Sequence, residues 1–260
     1  MSILAQDKDA HGQLLAARAQ YYTPTANGLK SFRCEATIDW KALLNRISGA
    51  EIPEDNPSLK YLKTVHLSVV DQLKGTGSME WSDTGVPPVG KEAGLKQTRD
   101  GLQTMMGGFF QSWNPFMNGT MVPLPDQSAE LTTTGDGIHL RESSANTTVD
   151  EDFDKNMLLT HVVVDTPEMK AVAIPTYVRT DDGLLISVVT SQLNQPPSAP
   201  PIEVTFRVEY APVDSFQIPS HIVYDIKNVG VIEVGFNNCQ VSVANPPQKP
   251  AAEKSNRPTN

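Results

Sequence analysis

Asp150, Asp152 and Asp154 stand at alternate positions, with Glu151 among them. That spacing imitates the first three ligands of a calcium loop, where carboxylates at every second position converge on one cation. The Gly that such a loop needs is replaced by Lys155, and His161 stands where the closing bidentate Glu belongs. Three carboxylates in this phase are more commonly the solvated face of a strand, and no metal is expected. The histidines are His11, His66, His139, His161 and His221, with no HxH or HxxxH pair. His66 and His161 fall inside strand patterns, as structural histidines or as half of an acid–base pair that sequence cannot assemble. Gly75-Thr76-Gly77-Ser78 lacks the GxSxG elbow and reads as a hairpin. No GxGxxG or Walker loop is present. Asn118-Gly119-Thr120 and Asn146-Thr147-Thr148 match the glycosylation sequon, a match that arises often by chance. The expectation is a protein with no catalytic residues and no cofactor.

Cys34 and Cys239 are the two cysteines. Two cysteines so far apart make no zinc site alone. Either they form a disulfide, which implies an oxidising compartment, or both are small buried apolar residues.

The most informative pattern is apolar. Leu102, Met105, Met106, Phe109, Phe110, Trp113, Phe116 and Met117 recur at three- and four-residue steps. This predicts an amphipathic helix over 102–117, weakened by Gly107-Gly108 and limited by Pro115. One meaning is a core helix covering a sheet. The other is a lid over a cavity, since Met and Phe make adaptable apolar walls. In the second case the ligand-binding set is Met105, Met106, Phe109, Phe110, Trp113 and Phe116, facing Phe32, Ile38, Trp40, Leu67, Met79 and Trp81 on strands.

Those strands follow from alternation. Phe32, Cys34, Ala36, Ile38 and Trp40 alternate with polar residues, predicting a strand over 32–41. Further strands are expected at 65–69, 75–81, 130–134, 138–142, 157–164, 171–178, 184–191, 204–210, 222–226 and 231–243. A helix is expected at 9–22, a loop at 53–57, a Gly/Pro-rich connection at 83–94 and a Pro-rich loop at 194–201. Two helices with roughly ten strands define an α+β protein dominated by antiparallel sheet.

With 260 residues, 39% hydrophobic and 20% charged, the chain has the balance of a globular protein. Residues 8–244 read as one domain. Residues 1–7 read as disordered or as a signal-peptide remnant with Ala5 as the cleavage position. Residues 245–260 read as a disordered tail. The net charge of −9 argues against nucleic-acid binding, and no apolar run suffices for a membrane-spanning helix.

In the order of its elements the chain resembles the outer-membrane lipoprotein carriers and lipoprotein-sorting proteins, the LolA-like superfamily. Gly28-Leu29-Lys30-Ser31-Phe32 is similar to that family's entry into its first strand, and Gly75-Thr76-Gly77-Ser78-Met79-Glu80-Trp81 to its next hairpin. The closing part, with Phe216-Gln217-Ile218-Pro219 before 222–226 and 231–238, resembles its late strands. The resemblance implies a curved antiparallel sheet forming an unclosed β-barrel, with helices packed in or across its concave face. It implies a periplasmic location and an apolar ligand, a lipid or lipoprotein acyl chains, with an envelope protein as a further partner. The carriers' Arg-Pro-Asn segment has no counterpart at Ser82-Asp83-Thr84, which points to a divergent member. The alternatives are an interaction or envelope-sensor module with a filled core, and a hydrolase whose dispersed site would hold His66 or His161 beside a carboxylate.

Overall fold

The alternation that opens at Leu29 produces β1, Leu29–Thr37, in which Leu29, Phe32, Cys34 and Ala36 are buried and their neighbours face outward. The computed structural model describes residues 3–122, 129–194 and 200–244, with side chains from His11 onward. The tail at 245–260 and most of the Pro-rich segment at 194–201 lie outside the described residues.

β1 stops short of the expected strand end, and Asp39 is the reason. Its side chain accepts the Ala42 amide at 2.9 Å and caps a helix, α2, Trp40–Ser48. Trp40 therefore opens a helix, and Ile38 lies in the connection between the two elements. A second short helix, α3, Pro57–Leu62, follows the expected loop. Asn56 caps it and Pro57 supplies a first residue with φ already helical.

The N-terminal helix, α1, spans Ile3–Arg18. Residues 3–7 belong to this helix, as suits the helix formers Ala5 and Gln6. The helix ends before Tyr22 because the chain turns there to bond β9, Gly183–Asn194. The Tyr22 amide donates to the Leu184 carbonyl at 2.9 Å.

The long helix, α4, spans Glu92–Met117 and takes in residues expected to belong to the preceding connection. The remaining strands are β2 (Val65–Gln72), β3 (Ser78–Asp83), β4 (Ala129–Thr134), β5 (Gly137–Ser144), β6 (Thr147–Asp154), β7 (Leu159–Asp165), β8 (Lys170–Thr180), β10 (Ile202–Val213), β11 (Phe216–Ile226) and β12 (Gly230–Val243). The chain is α+β, with four α-helices among the described residues and one open sheet of 12 strands. The order is β3-β2-β1-β12-β11-β10-β9-β8-β7-β6-β5-β4, with every neighbouring pair antiparallel. Two meanders meet where the first strand pairs the last. At that seam Cys34 and Cys239 form a disulfide, with Cα atoms 4.0 Å apart. No helix among the described residues is long and apolar enough to cross a membrane.

One buried cluster runs from Leu14 and Ala17 of α1 through α4 to β10–β12. Gly77 marks its closest approach. A Cβ there would stand 2.2 Å from the Phe110 ring, so only glycine lets the β2–β3 turn lie against α4.

Candidate functional site: an apolar groove at the head of the long helix

The Met/aromatic stripe lies against one face of the sheet and is packed with side chains. Phe109, Phe110 and Trp113 are at most 1% exposed, and Met105, Met106 and Phe116 are also buried. Phe110 and Trp113 meet Phe32 at centroid distances of 6.1 and 6.0 Å, and Phe109 meets Phe206 at 5.3 Å. Phe116 meets Tyr177 at 6.3 Å. The indole of Trp113 donates to the Tyr210 hydroxyl at 2.9 Å, which donates to the Ile186 carbonyl at 2.7 Å. Leu67 and Met79 are buried in the same cluster, and Trp81 packs at its margin, 5.8 Å from the Trp40 ring. Ile38 also packs against the cluster from outside, beside a cleft of about 110 Å³ between α2 and β12.

The open space lies at the other end of α4. A groove of about 580 Å³ is bounded by Leu43, Leu44 and Ile47 of α2, Ser58 and Leu62 of α3, and Val229 and Ile232 of the β11–β12 hairpin. Its long wall is the first part of α4, where Gly94, Leu95, Gln97, Thr98, Gly101 and Leu102 line it, with Lys91 just ahead of the helix. The volume falls within the roughly 300–1,000 Å³ range of small-molecule sites. Gly94 and Gly101 are seven residues apart and so share a face. Nothing stands within 4 Å of the Cβ that either would carry. Any larger side chain at these two positions would project into free volume. None of the residues expected to bind a ligand lines the groove; of the apolar repeat over 102–117, only Leu102, outside that set, reaches it.

α2 and α3 escaped the sequence reading, and the groove with them. The signals were present: Asp39 three residues before Ala42, Leu43-Leu44 followed by Ile47, and Asn56-Pro57 as a cap with a helix-opening proline. The apparent alternation through Trp40 masked the first of these.

The polar clusters are spent on structure. The register sets His139, Asp152 and His161 in one row across β5, β6 and β7. Asp152 contacts His139 Nδ1 at 2.8 Å and His161 Nδ1 at 3.2 Å. Asp150 takes two hydrogen bonds from Arg141, at 2.8 and 3.1 Å. Asp154 caps the next turn through the amides of Asn156 and Leu158. His161 thus does stand beside a carboxylate, but on the sheet and away from the groove lining. Among the described residues, no three His, Cys, Asp or Glu side chains are arranged to hold a metal ion.

Two carboxyls are buried. Asp71 of β2 accepts the Asn114 amide of α4 at 2.9 Å, and burial raises its pKa to about 6 against this one favourable hydrogen bond. Glu151 of β6 is raised to about 8, by burial first and by the charge of Glu142 second. Neither lines the groove.

Comparison of the chain with protein-family models, with curated proteins and with solved structures gave no match. The functional argument therefore rests on the groove and its surroundings.

Proposed function

We propose that the protein is an exported, periplasmic-type carrier or binding protein for an apolar ligand such as an acyl chain. The fold would act as a half-barrel, the long helix crossing its concave face, and would need no chemistry of its own. The observation that carries this reading is the apolar groove of about 580 Å³ beside α2, α3 and the head of α4. Burial of acyl carbon there, at about 25 cal/mol per Å², supplies affinity without a polar anchor. Ile47 and Val229, 69% and 79% exposed, stand at its rim, where a ligand would cover them. The disulfide supports export, because such bonds persist in oxidising compartments. The resemblance to lipoprotein carriers in the order of elements points the same way. The packed stripe is then the floor on which the binding site is built.

A fluorescent acyl probe tests the reading. It should bind the purified protein and be displaced by acyl ligands, and native mass spectrometry should detect co-purified lipid. Gly101→Leu should fill the groove and abolish probe binding while the melting temperature holds or rises. A probe that never binds, or that binds the Gly101→Leu variant as well as the wild type, overturns the proposal. The filled core favours one other reading, a non-enzymatic interaction or envelope-sensor module. That reading requires a bound protein partner and no lipid in the native spectrum.

A further inference from the structure

The groove has a direction. Its lining includes one charged side chain, Lys91, at the exposed outer end. Leu102, at the inner end, is 2% exposed. The two are three helical turns apart, about 16 Å along the axis. Between them the wall is Gly94, Leu95, Gln97, Thr98 and Gly101: two bare stretches of backbone, one leucine, one neutral amide and one hydroxyl. That is a slot for one extended chain, with no opposing charge along it.

Lys91 is also a cation without a carboxylate. Among the described residues no ion pair or hydrogen bond engages its ammonium. Nearby, Arg46 pairs Glu233 at 2.9 Å, Lys63 pairs Glu54 at 2.7 Å and Lys227 pairs Glu203 at 2.7 Å, while Lys60 of α3 is, among the described residues, equally unpaired but stands outside the groove lining. On a chain of net charge −9, an anion would be repelled by most of the surface. An unmatched cation at the open end of an apolar slot complements an amphiphile whose head is negative.

We infer that the groove takes a single-chain amphiphile with an anionic head, the head at Lys91 and the tail running along Gly94 and Gly101 to Leu102. This rests on the carrier reading and adds the class of ligand and its orientation. The carboxylate of a free fatty acid and the phosphate of a single-chain phospholipid share the required chemistry. The neutral head of a fatty alcohol does not. Lys91 supplies selectivity of about three- to fivefold, the range of a solvent-exposed charge pair, while the apolar wall supplies most of the affinity.

The test compares dodecanoate, dodecyl phosphate and dodecanol as displacers of a neutral fluorescent acyl probe on the full chain. The two anions should displace it at about three- to fivefold lower concentration than dodecanol in low salt. That ratio should fall to one in Lys91→Met, persist in Lys91→Arg, and collapse near ~1 M salt, where screening acts over a few ångströms. A preference for only one of the anions would identify which head the site takes and would still support an anionic ligand. Equal displacement by all three in the wild type overturns the inference and leaves the carrier reading standing on dodecanol. So does an anion preference that survives Lys91→Met. Failure of all three to bind overturns both.

Discussion

Asp71 and Glu151 sit where water cannot hydrate a charge, and the protein's pH response should follow from them. The Asp71 Oδ2 and Asn114 Oδ1 atoms are buried without a hydrogen-bond partner, as is the Glu151 Oε2. Protonation turns a carboxylate acceptor into a donor and removes the cost of burying its charge. Their folded pKa values, about 6 and about 8, lie above the ordinary 3.8 and 4.5. Between the ordinary and the raised values the native state holds more protons than the unfolded chain. The stability that this adds is present in full at the acid end and is lost as pH rises through 6 and then 8. The thermal midpoint should therefore fall between pH 5 and pH 9, beyond any loss common to acidic proteins. Glu151→Gln should remove the upper part of that fall and raise the midpoint at the alkaline end. Asp71→Asn should remove the lower part. An alkaline slope unchanged in Glu151→Gln would mean that Glu151 is not its source. Both inward positions are legible in the sequence by phase alone: Asp71 follows Leu67 and Val69, and Glu151 lies between Val149 and Phe153. Reading Asp150, Asp152 and Asp154 as a set drew the eye to the opposite face.

At the level of elements, strong periodicity stood out, and the cap signals at Asp39 and Asn56, though present in the sequence, were masked by it. The stripe of α4 emerged from its own spacing because each buried residue recurs on one helical face. The first part of the helix, 92–101, did not, since Gly94 and Gly101 face open groove and break the apolar pattern. The groove was illegible for the same reason that it is open: its residues leave space. Two substitutions separate the core from the groove. Phe109→Ala removes a ring packed among Phe110, Trp113 and Phe206, and should cost about 3–5 kcal/mol in urea unfolding. Asp39→Ala removes the cap of α2 and should cost only about 1 kcal/mol, yet it should weaken acyl-probe binding because Leu43, Leu44 and Ile47 form a groove wall. A Phe109→Ala variant that keeps its stability would mean that the stripe bounds a cavity.

At the scale of the whole molecule, local alternation revealed the strands, but nothing local could reveal their order. Hairpins such as β4–β5 and β8–β9 follow from turns in the chain. The pairing of β1 with β12 joins residues some two hundred apart, and it is this pairing that unites the sheet. Without it β3-β2-β1 would be a three-stranded piece held to the rest through α4. The seam is irregular, with register shifts between Leu29 and Ser31 and between Arg33 and Glu35, and Asn238 beside it has a left-handed φ of 49°. The Cys34–Cys239 bond crosses this seam at a sequence separation of 205. In the chain-entropy description, closing so long a loop removes up to roughly 5 kcal/mol of unfolded-state freedom. Cys34→Ala combined with Cys239→Ala should therefore lower stability by a large part of that amount, as should reduction of the wild type, which should leave the double variant unaffected. Because the groove lies at the Gly230 end of β12 and the bond near its other end, hydrogen exchange in the reduced protein should rise first along β1–β3 and the end of β12. Exchange rising uniformly over the sheet would show that the two meanders are held together by α4 and its aromatic packing and not by the seam.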